Sequence, residues 1–465
     1  MRKYWHKGRY FTKRESKDMR ALSKGKFSRR HFIRLAAAAA AGPFFLFTPR
    51  LSASSGTLTI AKWAHFLPEF DDWFVNQMAA DWGKQNQTKV TVDLISLEQV
   101  RDRALAEVKA GKGHDIFMFP WPPAEYQQHT IDHGEIYQRV APKYGAVQQL
   151  AFRSTLNTKT KKYFAFADFW MPSPLHFFQD YWAQVGMPLG PVHYGGLLSG
   201  GKRMREKLGI PSGLAFSPTL EGNVTLHTIL YSHRAFILDP EGNLLFNKNV
   251  FAAKAVGYIR ALCQEAGTPQ QLTWESGASV QAMLEHKTSS AINNISLLRD
   301  AEKQDQKVAG SLWIQPPLLG TSGMGVTALP HVTNCSAIWN FSENRDGAMQ
   351  FLAGLIDSSR VGYEKSHGCN FPIYPKTVPD LIVRLSKDPQ AKPASKYTAL
   401  KDALHWTPNL GVPGYATPAY MEIFTTSVVP RMVARAVKGE QSPEDAAAAG
   451  ALEMQQIVDK WNQVS

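Results

Sequence analysis

The sequence predicts an α/β protein of two lobes, each built on a mainly parallel sheet flanked by helices. Three observations carry this expectation. A length of 465 residues exceeds what one hydrophobic core usually fills. From residue 57 the hydrophobic pattern runs strand, helix, strand, helix, strand, which implies a parallel sheet with right-handed crossovers. At Asp168 the character changes to a Pro-rich stretch and then to the loop Gly195-Gly196-Leu197-Leu198-Ser199-Gly200-Gly201, where the chain is expected to cross into a second lobe.

In order, residues 57–61 form a short apolar strand. Pro68 opens a helix whose Phe70, Trp73, Phe74 and Met78 share one face at three- and four-residue steps. Residues 89–95 alternate as a half-buried strand should. Residues 98–110 read as a helix striped by Val100, Ala104 and Val108, with Gly111 as its C-cap. Residues 116–119 are a continuous apolar strand stopped by Pro120, and residues 163–167 the next strand. Helical patterns dominate residues 219–266, residues 290–292 are a strand, and helix and strand alternate again to Trp339. The last helix has Ser442 as N-cap, Pro443 at its first position, and Glu444 and Asp445 set against the helix dipole. Trp73 and Trp82 are expected in the core.

A net charge of +13 suggests a polyanionic partner until it is located. Fourteen of the 52 Lys and Arg residues and two of the 39 acids lie in residues 1–53, leaving 38 bases against 37 acids. A nucleic-acid footprint needs basic residues spread over a folded face, so no nucleic acid is expected. The front segment has a basic region, an apolar region too short to span a membrane, and small residues near Ala53, the layout of a signal peptide. Its Ser28-Arg29-Arg30-His31-Phe32-Ile33-Arg34 resembles the twin-arginine export motif, with Arg29 and Arg30 as the pair. No cysteine precedes Cys263, so no lipid anchor is expected at the cleavage point and the expected home is a Gram-negative periplasm. Cys263, Cys335 and Cys369 offer no C-x-x-C motif; one bridge or three free thiols remain open.

Five segments in order resemble family 1 extracellular solute-binding proteins, the receptors of carbohydrate ABC importers. They are His65-Phe66-Leu67-Pro68-Glu69-Phe70-Asp71, Gly113-His114-Asp115-Ile116-Phe117, Ala291-Ile292-Asn293-Asn294, Ile338-Trp339-Asn340-Phe341-Ser342 and Gly411-Val412-Pro413-Gly414. The resemblance implies the two-lobed type II periplasmic-binding-protein fold, with one solute in the cleft at the hinge. It implies a first lobe of residues 57–167 with 293–341 and a second of 168–292 with 342–465. It further implies a monomer that meets a membrane permease after passing the twin-arginine translocase. Pro120-Trp121-Pro122-Pro123 is bulkier than maltose-type receptors show there, so maltose specificity is not carried over.

Sugars present hydroxyl edges and weakly apolar faces, so a sugar cleft combines aromatic planes with amides and carboxylates. The candidates at predicted strand ends and loops are Trp63, His65, Trp121, Asp168, Trp170, Asn223, Trp274, Asn294 and Tyr415. For a parallel sheet the ligand belongs beyond the carboxyl ends of the strands, near His65 and Trp121. Residues 196–202 match G-x-x-x-x-G-K, but Arg203 stands where Ser or Thr should hold magnesium, and the segment reads as a flexible loop before a helix. There is no H-E-x-x-H and no G-x-S-x-G; neither catalysis nor a cofactor is expected. An exported carbohydrate-active hydrolase or oxidoreductase is the alternative, and a polyol, glycerol phosphate or polyamine the alternative solute.

Overall fold

The computed structural model describes residues 4–6, 9–11, 56–320 and 327–464; Arg29 and Arg30 lie outside them. Residues 1–52 and 53–465 are separate units. In the first, β1 (Tyr4–His6) pairs antiparallel with β2 (Arg9–Phe11).

The second unit opens as its hydrophobic pattern dictates. Strands β3 (Thr57–Trp63), β4 (Lys89–Ile95) and β5 (Ile116–Phe119) are joined by the helical stretches from Pro68 to Gln85 and from Leu97 to Ala110. Gly111 ends the latter at φ +61°, a left-handed cap that glycine adopts without a Cβ clash. β3 pairs parallel with both β4 and β5. The sheet then extends through β10 (Val332–Ile338), β6 (Phe166–Met171) and β11 (Phe371–Pro372), in the order β11-β6-β10-β5-β3-β4. The β5–β10, β10–β6 and β6–β11 pairings are antiparallel, so β3, β4, β5 and β6 point one way and β10 and β11 the other. Trp73 is buried, and Trp82 packs edge-on against Phe351 with ring centroids 5.2 Å apart.

A second sheet has the order β8-β7-β9, from β7 (Leu175–Phe178), β8 (Ser290–Ile292) and β9 (Leu312–Gln315). All its pairings are antiparallel, where a mainly parallel sheet was expected. The chain enters this sheet at β7 directly from β6 through Pro172-Ser173-Pro174, and both later strands, β8 and β9, return beside β7 in the opposite direction.

Strand membership moves the crossings from their expected places. The first runs through residues 172–174, after β6 has finished in the first sheet, rather than at Asp168. β9 belongs to the second sheet, so the return lies between Gln315 and Val332, not at Ile292. β11 falls back into the first sheet, inside residues 342–465. The C-terminal helices Val428–Val437 and Pro443–Val464 pack on Ala252–Ala261. The Ser442 hydroxyl caps the last helix, accepting from the Asp445 N–H at 3.0 Å.

The Gly/Ser segment is not a loop. It forms the helix Tyr194–Leu208, capped by His193, whose side chain accepts from the Gly196 N–H at 2.8 Å. Its glycines serve packing. A Cβ on Gly200 would come within 2.5 Å of the Trp182 ring, and one on Gly201 within 2.8 Å of the Ala266 methyl. Composition suggested flexibility, while the need for close contact between helices decided the outcome. All three cysteines are buried free thiols.

Candidate functional site

The first three strands of the large sheet stand in the order β4-β3-β5, so the chain leaves β3 to one side first and to the other side next. The crevice at the carboxyl ends of such strands is the natural ligand position in an open α/β sheet. A groove opens there. From the first half it is lined by Phe66 after β3, by Leu97, Glu98, Arg101 and Asp102 after β4, and by Trp121 after β5. Facing them are Thr219, Leu220, Glu221 and Asn223 at the start of the helix Leu220–Ser232, together with Ser276 and Val280. Asn293, Ser296, Asp300 and His331 close one end, and Phe424, Thr425 and Ser427 the other. The two ends share Leu97, Leu220 and Ser276.

The helix start that faces the first half is fixed by Thr219, whose hydroxyl accepts from the Gly222 N–H at 3.1 Å. The Asn223 amide donates to the Thr219 carbonyl and the Ser427 hydroxyl, both at 3.0 Å, leaving the buried Asn223 Oδ1 without a partner. Glu221 is buried beside it, taking a hydrogen bond from Ser279. Burial pushes its carboxyl up to about 7, opposed by the Ser279 and Asn293 hydrogen bonds. Burial also lowers the His331 imidazole to about 4, so it is uncharged at neutral pH, and its Nδ1 has no partner. Across the groove the Ser276 hydroxyl donates to Glu98 at 2.6 Å, which holds the Glu98 carboxyl below its ordinary value. The Thr425 hydroxyl donates to Glu125, whose carboxyl burial pushes up to about 7.

Of the residues expected at the site, Trp121 and Asn223 line this groove. Trp274 is half-buried two residues before Ser276. The others lie elsewhere. Trp63, 0% exposed, donates through Nε1 to Asn334 Oδ1 at 2.7 Å and stacks on His65 with centroids 5.4 Å apart. His65 is buried between the Leu67 N–H and Asn370, and burial lowers its imidazole to about 3. Asp168 accepts from Asn334 Nδ2 at 2.6 Å, its carboxyl raised by burial to about 7. Lys62 is buried in the same network, ion-paired with Asp71. Trp170 is 1% exposed and packs edge-on against Phe371. Asn294 is fully buried, its Oδ1 accepting from the Ser296 N–H at 2.9 Å. Tyr415 lines a different cavity of about 780 Å³, with Asn157, Lys159 and Trp461. These side chains hold the first sheet and its crossings together rather than face the groove.

Leu97, Glu98, Arg101, Glu221, Ser276 and Asp300 were not singled out from sequence. The signal for the first three was present: they follow β4 as Trp121 follows β5.

No protein-family model matches the sequence, and no curated protein matches it. Solved structures do match in fold. The maltose-bound MalE3 of T. maritima aligns with a TM-score of 0.71 at 16% identity, covering 86% of this chain and 100% of that one. The sugar transporter of Arthrobacter chlorophenolicus A6 with bound laminaribiose gives 0.72 at 12% identity, over 86% and 99%. An ABC transporter solute-binding protein of Agrobacterium radiobacter K84 in complex with ribitol gives 0.66 at 17%, over 86% and 98%. The chain shares the fold of these proteins.

Proposed function

We propose that this chain, which has the two-lobed type II periplasmic-binding-protein fold, is the solute receptor of an ABC-type importer and takes a sugar or related polyol. The observation that carries the reading is the groove. It stands at the carboxyl ends of β3, β4 and β5, it is faced by helix starts from the other half, and its lining includes the buried Asn223, whose Oδ1 has no partner within the protein. The structures of similar fold were solved with maltose, laminaribiose and ribitol bound, which supports the same class of solute.

In this reading the first lobe comprises β3 to β6 with β10 and β11, and the second comprises the small sheet with the C-terminal helices. Residues 172–174 join the halves, which move about them. Solute settles on one half, and contacts from the other favour the closed form through differential affinity. Trp121 supplies a stacking plane, Asn223 and Glu98 bond hydroxyls, and Trp274, two residues before the lining Ser276, offers a second plane. The closed monomer then presents both halves to a membrane permease and releases the solute chemically unchanged. The twin-arginine segment delivers the folded chain to the periplasm.

A thermal-shift screen of the full chain against sugars and polyols tests the reading, with product analysis of each mixture. Stabilisation by at least one carbohydrate without turnover is expected. Turnover would point to an enzyme instead, and no stabilisation across the panel would remove the receptor reading. Replacing Arg29 and Arg30 together by lysine is expected to hold the chain in the cytoplasm, measured by cell fractionation.

A further inference from the structure

We infer that the solute carries a protonated amine among its hydroxyl groups, as an amino sugar does; this rests on the receptor reading above. Two independent features of the groove point to it. One is its charge. Glu98, Asp102, Glu221 and Asp300 line it against the single base Arg101, and His331 is uncharged. With Glu221 counted as neutral, three acids still oppose one base. Such a wall repels phosphorylated or carboxylated sugars and attracts a cation through a field that salt can screen, since Glu98 and Asp102 are exposed.

The other is the kind of hydrogen-bonding group left open. Asn223 is 4% exposed and its Nδ2 already donates to the Thr219 carbonyl, an obligate acceptor, and to Ser427. That contact fixes which way the amide faces, so the unpartnered atom is the acceptor Oδ1. Asn223 itself lines the groove together with Glu98 and Asp102. A phosphate or carboxylate brings no donor to it, a hydroxyl brings one, and an ammonium group brings three. An ammonium therefore answers both the orphaned acceptor and the excess of carboxylates, whereas a neutral sugar answers only the first.

Calorimetry on the full chain tests this with matched probes: the glucosamine disaccharide, its N-acetylated counterpart and maltose, at mildly acidic pH where the free amine is charged. The glucosamine disaccharide is expected to bind at least roughly tenfold more tightly than the N-acetylated form. That preference should shrink several-fold in raised salt, and also in Asp300→Asn and in the exposed variant Asp102→Asn. Equal or tighter binding of the N-acetylated form or of maltose overturns the amine inference and leaves the receptor reading standing. A preference that survives both substitutions and salt overturns the electrostatic argument. Failure of all three probes, while another neutral carbohydrate binds in the thermal-shift panel, also overturns it. Failure of the whole panel overturns the receptor reading as well.

Discussion

Glu221→Gln removes a carboxyl that the fold buries at the lip of the groove, and its effect on stability can be worked out. The group is 7% exposed, and burial raises it from 4.5 to about 7. Because the folded value lies above the unfolded one, the folded state holds the extra proton between those two pH values. The group's contribution therefore falls as pH rises through that window and levels off above about 7. At about 1.4 kcal/mol for each tenfold change in proton affinity, the loss is roughly 3 kcal/mol. Glutamine keeps an acceptor for the Ser279 hydroxyl but never ionises. The variant should match the wild type near pH 4.5 and exceed its stability by roughly 3 kcal/mol at pH 8. Urea denaturation of both chains at pH 4.5, 6 and 8 measures the difference. Parallel stability curves would mean that the carboxyl is hydrated in solution and that the closed, buried geometry of this lip is wrong. A cationic solute offers the opposite test, since it should stabilise the wild type more than the variant.

Trp121→Ala should weaken carbohydrate binding by about tenfold through loss of a stacking plane, and Trp274→Ala by less, as calorimetry can measure; an unchanged Kd for Trp121→Ala would displace the groove as the site. Ser276→Ala removes the hydrogen bond from the second half to Glu98, worth about 1 kcal/mol. The ligand-free chain should then open measurably in small-angle scattering, with a Kd raised about fivefold; an identical scattering curve would deny the bond a role in closure. Gly222→Ala places a Cβ 2.0 Å from the Ser217 carbonyl oxygen, a backbone clash that side-chain rotation cannot relieve. It should cost more than about 2 kcal/mol of stability and shift Asn223; a melting temperature equal to wild type would contradict the helix start described here.

The sequence revealed most clearly those elements whose period is set by burial on one face. β3, β4, β5 and the helices between them follow from alternation and from three- and four-residue steps, because the sheet must hide its apolar face. It was least informative where a residue's usual preference is overruled by a partner distant in the chain. Residues 194–201 carry four glycines and look like a loop, yet Trp182 and Ala266, approaching from other segments, require two of them, Gly200 and Gly201, inside a helix. Residues 163–167 look like a strand from their aromatic content. The paired segment is Phe166–Met171, because its register is set by β10, more than 160 residues away.

The same logic explains which candidate residues reached the groove. A tryptophan at the end of a strand has two outcomes, to cap the core or to face the crevice, and local sequence does not separate them. Trp63 ends β3, and its indole N–H is taken by Asn334 from β10, which draws the ring inward. Trp121 follows β5 through Pro120 and, though only 8% exposed, is among the residues lining the groove. The polar side of the site was harder still to see, since Glu98 and Asp300 read as ordinary surface acids on amphipathic helices. Only when the second half is placed opposite Glu98 does it join a lining that holds Asn223 at one end and Asp300 at the other, with Arg101 as the one base among the groove's lining residues. The chemistry of this groove is thus a property of two surfaces meeting, and specificity should respond to substitutions on either surface that leave the stability of each half unchanged.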